Sequence, residues 1–520
     1  MFRDHSGHLS LARVPKAWWW VLGTLGVFLG FLSWAIASPI GSSPDEDFHM
    51  GSIWCPTPSE NSGCDVVVGD EGSVEAVLVP ESVASSAHCH AFQPDQSAAC
   101  VDEYSDQRLV ESTRFDAGGY PFGYYQFHHL LVGEDVQASV AWMRVMNVFL
   151  GLGLLGVAVA LAPRSVRQPA LVAAVVSWVP MGVYFIASLN PSSWALSGVL
   201  IFGVAGYSAA NSQGFRRWAS LGVSLLGAVL AVSSRADSAF YIILVAVALW
   251  VFVPANKSRW PELVASLVAV VAALAAFLTS GQAANVTGDG GWPTYHDLSF
   301  ARLLTLNLLS VPNYLAGFWG MGAGPGWFDV YLHGWSSLAM LFTAGGVFFV
   351  GMKGFEWRRL FVAVFLGGAL VGIPAVALAV RHSFPTNAYQ PRYLLPLLPV
   401  FFFFWLVARG GLRFSSTGRV TGLAIVASLA NLLALRSVMA RYTSGYFAAS
   451  LEGLPFFREV EWWPWMVPPE LVLWGGSLAF ALGISMLLFA ATVSARDLAG
   501  GPGTSQSDLV ELSEDARRLS

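Results

Sequence analysis

The chain has 520 residues, of which 55% are hydrophobic and only 12% charged, with a net charge of −5 and three lysines. Soluble domains carry about twice that charged fraction, so a soluble multidomain protein, a disordered chain and a small disulfide scaffold are all excluded. A nucleic-acid binder is excluded too, because no basic surface large enough to match a phosphate backbone is present.

A bilayer core about 30 Å thick needs roughly 20 apolar residues per helix. In chain order, such runs fall near 17–38, 138–163, 169–188, 193–211, 218–234, 239–254, 261–280, 334–352, 360–380, 393–409, 419–437 and 471–494. The expected fold is therefore an all-α polytopic membrane protein with about 12 transmembrane helices. The first run opens on Trp18-Trp19-Trp20, has too long an apolar core for a cleaved signal peptide, and reads as an anchor. Residues 1–16 form a short N-terminus and 138–494 a multi-helix domain. Residues 495–520, rich in Gly, Ser and acids, read as a disordered tail. Eighteen of the 28 Arg and Lys residues recur in every second loop, among them Arg164, Arg167, Arg216, Arg358 and Arg359. The positive-inside rule makes that side cytoplasmic and places both termini there, in a multi-pass protein of the plasma (inner) membrane.

Residues 39–137 then form a large first extracytoplasmic loop, with 17 acidic residues against Arg108 and Arg114. All four cysteines, Cys55, Cys64, Cys89 and Cys100, lie in it. Thiols oxidise on that side, so two disulfides are expected. Of the three connectivities, Cys55–Cys64 with Cys89–Cys100 is favoured because it closes the shortest loops. No C-x-x-C spacing supports a zinc site. Further outer segments are 281–333, which contains the sequon Asn285-Val286-Thr287, then 381–392 and 438–470.

The sharpest chemical feature follows the first span: Ser43-Pro44-Asp45-Glu46-Asp47-Phe48-His49. A capping box with Ser43 at N-cap, Pro44 at N1 and Glu46 at N3 accounts for part of it. It does not account for three acids and a histidine beside the membrane. A carboxylate there, Asp45 with Glu46 shaping the site or substituting for it, suits a general base that takes a proton from a hydroxyl. Outer arginines bordering apolar runs, Arg235, Arg381 and Arg392, read either as snorkelling side chains, with Arg235 paired to Asp237, or as forks for phosphate oxygens at lipid depth. The aromatic run Tyr120 to His129 reads as an interfacial belt or as a sugar-stacking surface that includes Tyr124, Tyr125 and His128. Adjacent His128 and His129 diverge, so joint metal ligation is not expected. Asn190-Pro191 is a turn or a polar substrate contact. Residues 296–322 read as an interfacial helix, and Gly322 to Gly326 as a hinge.

An anchor span, an acidic motif opening a large outer loop, and many further spans resemble the GT-C superfamily of membrane glycosyltransferases. More narrowly, Pro44-Asp45-Glu46-Asp47-Phe48-His49 is similar to the P-D-E-x-x-H motif of a family of predicted bacterial membrane proteins of unknown function. Asn190-Pro191 and Arg392-Tyr393-Leu394-Leu395-Pro396 are similar to that family's later motifs. The resemblance implies a glycosyltransferase that takes sugar from a polyprenyl-phosphate donor and modifies a cell-envelope glycan or glycolipid on the extracytoplasmic side. It implies Asp45 as base, with Arg235, Arg392 and Arg381 on the donor phosphate. His49, Tyr124, Tyr125, His128, Asn190, Asp237 and Tyr393 would line the substrate site. No cofactor is required, and a divalent cation such as calcium would be structural. The rival readings are a lipid or glycan flippase, which needs ionisable groups along a mid-membrane path, and a non-catalytic envelope-binding scaffold.

Overall fold

A computed structural model describes residues 16–59, 62–70, 72–252, 257–281, 293–352, 356–385, 389–407, 417–445 and 460–497. The N-terminus, the sequon, most of the proposed tail and parts of the outer segments 381–392 and 438–470 lie outside the described residues.

Helix α1 (Lys16–Ala35) leads into a small module formed by α2 (Glu46–Trp54), β1 (Val66–Val68), β2 (Val74–Pro80), α3 (Glu81–His90), β3 (Leu109–Ser112) and α4 (Gly123–His129). The three strands form one antiparallel sheet in the order β1-β2-β3, with Val77 of β2 opposite Val66 on one side and Ser112 on the other. The all-α expectation holds for the bundle, and the module adds this one small sheet. A run such as Val66-Val67-Val68 is too short to cross a membrane and is rich in β-branched residues that favour strands. Disulfides Cys55–Cys64 and Cys89–Cys100 fasten the module, in the expected pairing.

The bundle continues through α5 (Val136–Leu161), α6 (Arg164–Trp178), α7 (Met181–Ile186), α8 (Ser192–Ala210), α9 (Gly214–Val232), α10 (Ala236–Phe252) and α11 (Trp260–Thr279). It closes with α12 (Phe300–Ala316), α13 (Gly334–Gly351), α14 (Trp357–Val380), α15 (Leu397–Leu406), α16 (Thr417–Ser444) and α17 (Pro469–Asp497). Among the described residues, nine helices are long and apolar enough to cross a bilayer. The other three expected spans differ. The run 239–254 is the 17-residue α10, and 393–409 is the 10-residue α15. The run 169–188 breaks into α6 and α7 where Val179 turns extended before Pro180, because proline disfavours the α region in the residue before it. Hydropathy does not register that break.

Small residues set the closest helix crossings. A Cβ on Gly26 of α1 would stand 2.6 Å from the Ala479 carbonyl oxygen of α17, and one on Gly483 would stand 2.4 Å from the Val27 nitrogen. Backbones that approach this closely gain dispersion and leave no room for a methyl group. Helix α8 is buried along its whole apolar window and forms the centre of the bundle. Outward residues of α11, such as Leu267, Val271 and Leu278, are exposed. In water they would be a large apolar patch; against lipid they are at home.

Candidate functional site

The segment joining α1 to α2 is held by side chains from across the bundle. Arg144 of α5 donates to the carbonyls of Ser38 and Pro39 at 2.7 Å each and of Ala35 at 3.3 Å. Tyr184 and Tyr442 both donate to the Ser42 carbonyl, at 3.3 and 3.2 Å, and the Trp327 indole donates to that of Gly41 at 2.8 Å. Asn190 donates to the Pro44 carbonyl at 3.0 Å. Buried carbonyls need such partners, and here each partner also fixes the turn that ends at Asp45.

Asp45 itself takes a left-handed conformation, φ 62°, which Asp tolerates better than most residues. It is the residue before α2. The expected N-cap at Ser43 is therefore corrected, since the Ser43 hydroxyl is buried without a partner. The other half of the box is present: Glu46 Oε2 accepts the Ser43 N–H at 2.7 Å.

The two neighbouring acids point to different environments. The Asp45 side chain is 43% exposed, and its Oδ2 accepts from Arg392 Nη2 at 2.8 Å while Oδ1 faces Arg114 Nη2 at 3.4 Å. Arg114 also forks onto Asp47, at 2.7 and 3.0 Å. Glu46 is fully buried, and its Oε1 meets Arg144 Nη2 at 2.8 Å. Held by Arg144 and by the Ser43 N–H, Glu46 anchors the turn and shapes the site, the first of its two expected roles.

Burial opposes ionisation of Asp45, but the charges of Arg392 and Arg114 outweigh it and hold the carboxyl below its ordinary value. His49, one turn along α2, is buried; desolvation, with Arg235, Arg392 and Arg114 adding to it, drives its pKa down to about 3 against the pull of Asp45. It is a neutral ring, with Nδ1 2.9 Å from the Tyr125 hydroxyl.

Arg235 lies beside this pair. Its Nε and Nη2 donate to Asp237 at 2.8 Å each, as the pairing alternative expected. Its guanidinium carbon is also 5.1 Å from the Tyr393 ring centroid, the same distance as that of Arg392, so two cations share one aromatic ring. The structure thus gathers Asp45, His49, Arg235, Asp237, Arg392, Tyr393 and Tyr125 around one point. Asn190 joins them through the backbone of Pro44.

Arg381 caps the C-terminal end of α14, two residues before Ser383, which pairs with Thr294 in a strand-like bridge. Tyr124 and His128 are fully buried. Asn147 donates to the Tyr124 hydroxyl at 3.1 Å and stands 2.9 Å from His128 Nε2, while the Trp194 indole donates to the same Asn147. This is a packed polar network that supports α4. His129 turns away to the Ile53 carbonyl, as its divergence from His128 required. Among the described residues no group of three His, Cys, Asp or Glu side chains stands ready to hold a metal ion.

Sequence reasoning missed Arg114 and Arg144. Arg144 carried a signal, since an ionisable residue inside an apolar run needs a partner. Arg114 carried only its scarcity in an acidic loop.

These features define a multi-span membrane protein with an ionic cluster, led by a half-exposed carboxylate, at the end of its helices where the disulfide-bonded module sits. Residues 28–401 match the family described as predicted membrane protein, DUF2142, and with most of the chain matched the protein belongs to that family. No curated protein matches the chain.

Proposed function

We propose that the protein is a GT-C-type glycosyltransferase that takes its sugar from a polyprenyl-phosphate donor and passes it to a cell-envelope glycan or glycolipid. In this reading the disulfide-bearing module faces outward from the plasma membrane, and the arginine-rich side with both termini faces the cytoplasm. The observation that carries it is Asp45: one accessible carboxylate in direct contact with two guanidinium groups, Arg392 and Arg114.

The chemistry follows from that contact. The acceptor hydroxyl oxygen attacks the anomeric carbon, the bond from that carbon to the phosphate oxygen breaks, and the lipid phosphate leaves. The hydroxyl proton passes to Asp45. With its arginines in place Asp45 is a weak base, since they favour the ionised form. A donor phosphate that draws Arg392 and Arg114 onto its own oxygens relieves that stabilisation and strengthens the base when it is needed. The same guanidinium groups neutralise charge developing on the leaving phosphate, with Arg235 and Tyr393 behind them. His49, neutral and bonded to Tyr125, packs beside Asp45 and positions it. A flippase reading would want ionisable groups along a path through the bundle; Arg144 is instead 1% exposed against Glu46.

The test is release of polyprenyl phosphate from polyprenyl-phosphate sugars by the purified protein in vesicles with envelope glycan as acceptor. Release by the wild type that Arg392→Gln abolishes supports the reading. No release from any pentose or hexose donor contradicts it.

A further inference from the structure

A second site shares no lining residue with the cluster around Asp45. A cavity of about 250 Å³ runs between α1, α5, α6 and α17. Trp20, Thr24, Val27 and Phe31 line it from α1, and α6 and α17 contribute Leu171, Trp178, Phe480 and Leu488. Its wall is almost wholly apolar, and apolar cavities of even about 150 Å³ stay dry and take hydrocarbon. From Trp20 to Phe31 the helix rises about 16 Å at 1.5 Å per residue, which is one leaflet of a hydrocarbon core about 30 Å thick. The cavity has the length of a single acyl chain in the leaflet nearer the chain's N-terminus.

Its mouth carries charge. Arg167 lines the cavity beside Trp20, with its guanidinium carbon 5.5 Å from that ring. Two carbonyls at the end of α5, Ala162 and Ala160, accept from Nε at 3.1 Å and from Nη2 at 2.8 Å. Those bonds fix the side chain at the rim. Arg164 and Arg216 lie near enough to repel it. Among the described residues none of the three is paired with a carboxylate. Arg167, with no carboxylate partner among the described residues, stands at the rim of an acyl-width slot and suits an anion from outside the chain. Basic pockets between spans on this side of a membrane suit lipid headgroups.

We infer that this cavity is a binding site for an anionic phospholipid of the arginine-rich leaflet, with one acyl chain between α1, α5, α6 and α17 and the phosphodiester at Arg167. The site is independent of the donor chemistry proposed at Asp45.

The experiment uses the full-length protein in detergent, titrated with phosphatidylglycerol or phosphatidylcholine of matched chains, with bound lipid counted by native mass spectrometry. Wild type is expected to retain phosphatidylglycerol at least tenfold more tightly. Arg167→Gln should bring the ratio close to one without loss of fold. A second variant tests the slot itself: Gly156 lines the cavity, and a side chain there would meet open space. Gly156→Leu should therefore fold normally and lower retention of both lipids. Equal retention of the two lipids by the wild type means ordinary hydrocarbon filling and overturns the proposal. A preference that survives Arg167→Gln, or retention unchanged in Gly156→Leu, overturns it as well.

Discussion

Removing Arg144 should unfasten the turn that presents Asp45. The side chain is 1% exposed, its partner Glu46 is 0% exposed, and their closest oxygen and nitrogen stand 2.8 Å apart. Breaking one side of a buried ion pair costs about 3–5 kcal/mol, because the remaining charge is left without water or partner. Arg144→Met also orphans the carbonyls of Ala35, Ser38 and Pro39, at about 1–3 kcal/mol for each that finds no other donor. The loss should therefore exceed about 4 kcal/mol, a large fraction of ordinary stability. Glu46→Gln keeps those carbonyls satisfied and should cost less, about 3 kcal/mol. The pair then makes a signed prediction. Once Arg144 is gone, the Glu46 carboxylate is a buried liability, so Arg144→Met with Glu46→Gln should be more stable than Arg144→Met alone. Denaturant titration of the purified variants, followed by tryptophan fluorescence, measures all three. An Arg144→Met protein within about 0.5 kcal/mol of wild type, or a double variant weaker than the single, refutes the assignment.

Acid should loosen the module before it touches the bundle. His49 and His90, both with pKa held near 3 by burial first, are neutral when folded and protonate when unfolded. Their stabilising contribution is complete above the ordinary histidine pKa of about 6.5 and falls by about 1.4 kcal/mol per pH unit for each as pH drops toward 3. Stability measured from pH 7 to 5 should show that slope, and His90→Phe should reduce it; a flat profile counts against the burial of these rings. Removing Arg114 should raise the Asp45 pKa, so the acid limb of any transfer activity should move to higher pH in Arg114→Ala; an unmoved limb separates Arg114 from the base. Gly26→Leu should weaken the α1–α17 crossing by several kcal/mol, whereas Gly222→Leu, where a side chain meets open space, should cost about 1 kcal/mol or less. Equal effects in the two variants refute the close approach. Cys89→Ser with Cys100→Ser should lower the stability of the module by about 2–4 kcal/mol, read as earlier proteolysis within 81–112.

Much of the plan was legible because lipid imposes a coarse rule: a run of apolar residues long enough to cross must be a helix. That rule found α1, α5, α8, α9, α11, α13, α14, α16 and α17, and loop charge singled out the acidic module. It failed where local backbone chemistry decides, at Val179-Pro180, and where an apolar run is shorter than it looks, at α15. The ionic cluster was legible in its cations and its exposed carboxylate, since Arg235, Arg392 and Asp45 stood out as charges beside apolar runs. The division of labour between Asp45 and Glu46 was not, because adjacent carboxylates look alike until the turn sends one to solvent and the other to Arg144. The role of Asn190 was equally hidden: its partner is a carbonyl 146 positions away, and backbone acceptors leave no mark in a sequence. The buried network of Tyr124 and His128 was hidden for the opposite reason, since a buried polar network and a ligand-binding one use the same residue types.

The most direct test of the central claim is the transfer rate of Asp45→Asn, measured in the same vesicles alongside its affinity for polyprenyl phosphate. Loss of transfer by at least about a hundredfold, with the folded state and phosphate binding retained, is the predicted result. Turnover close to that of the wild type would contradict it.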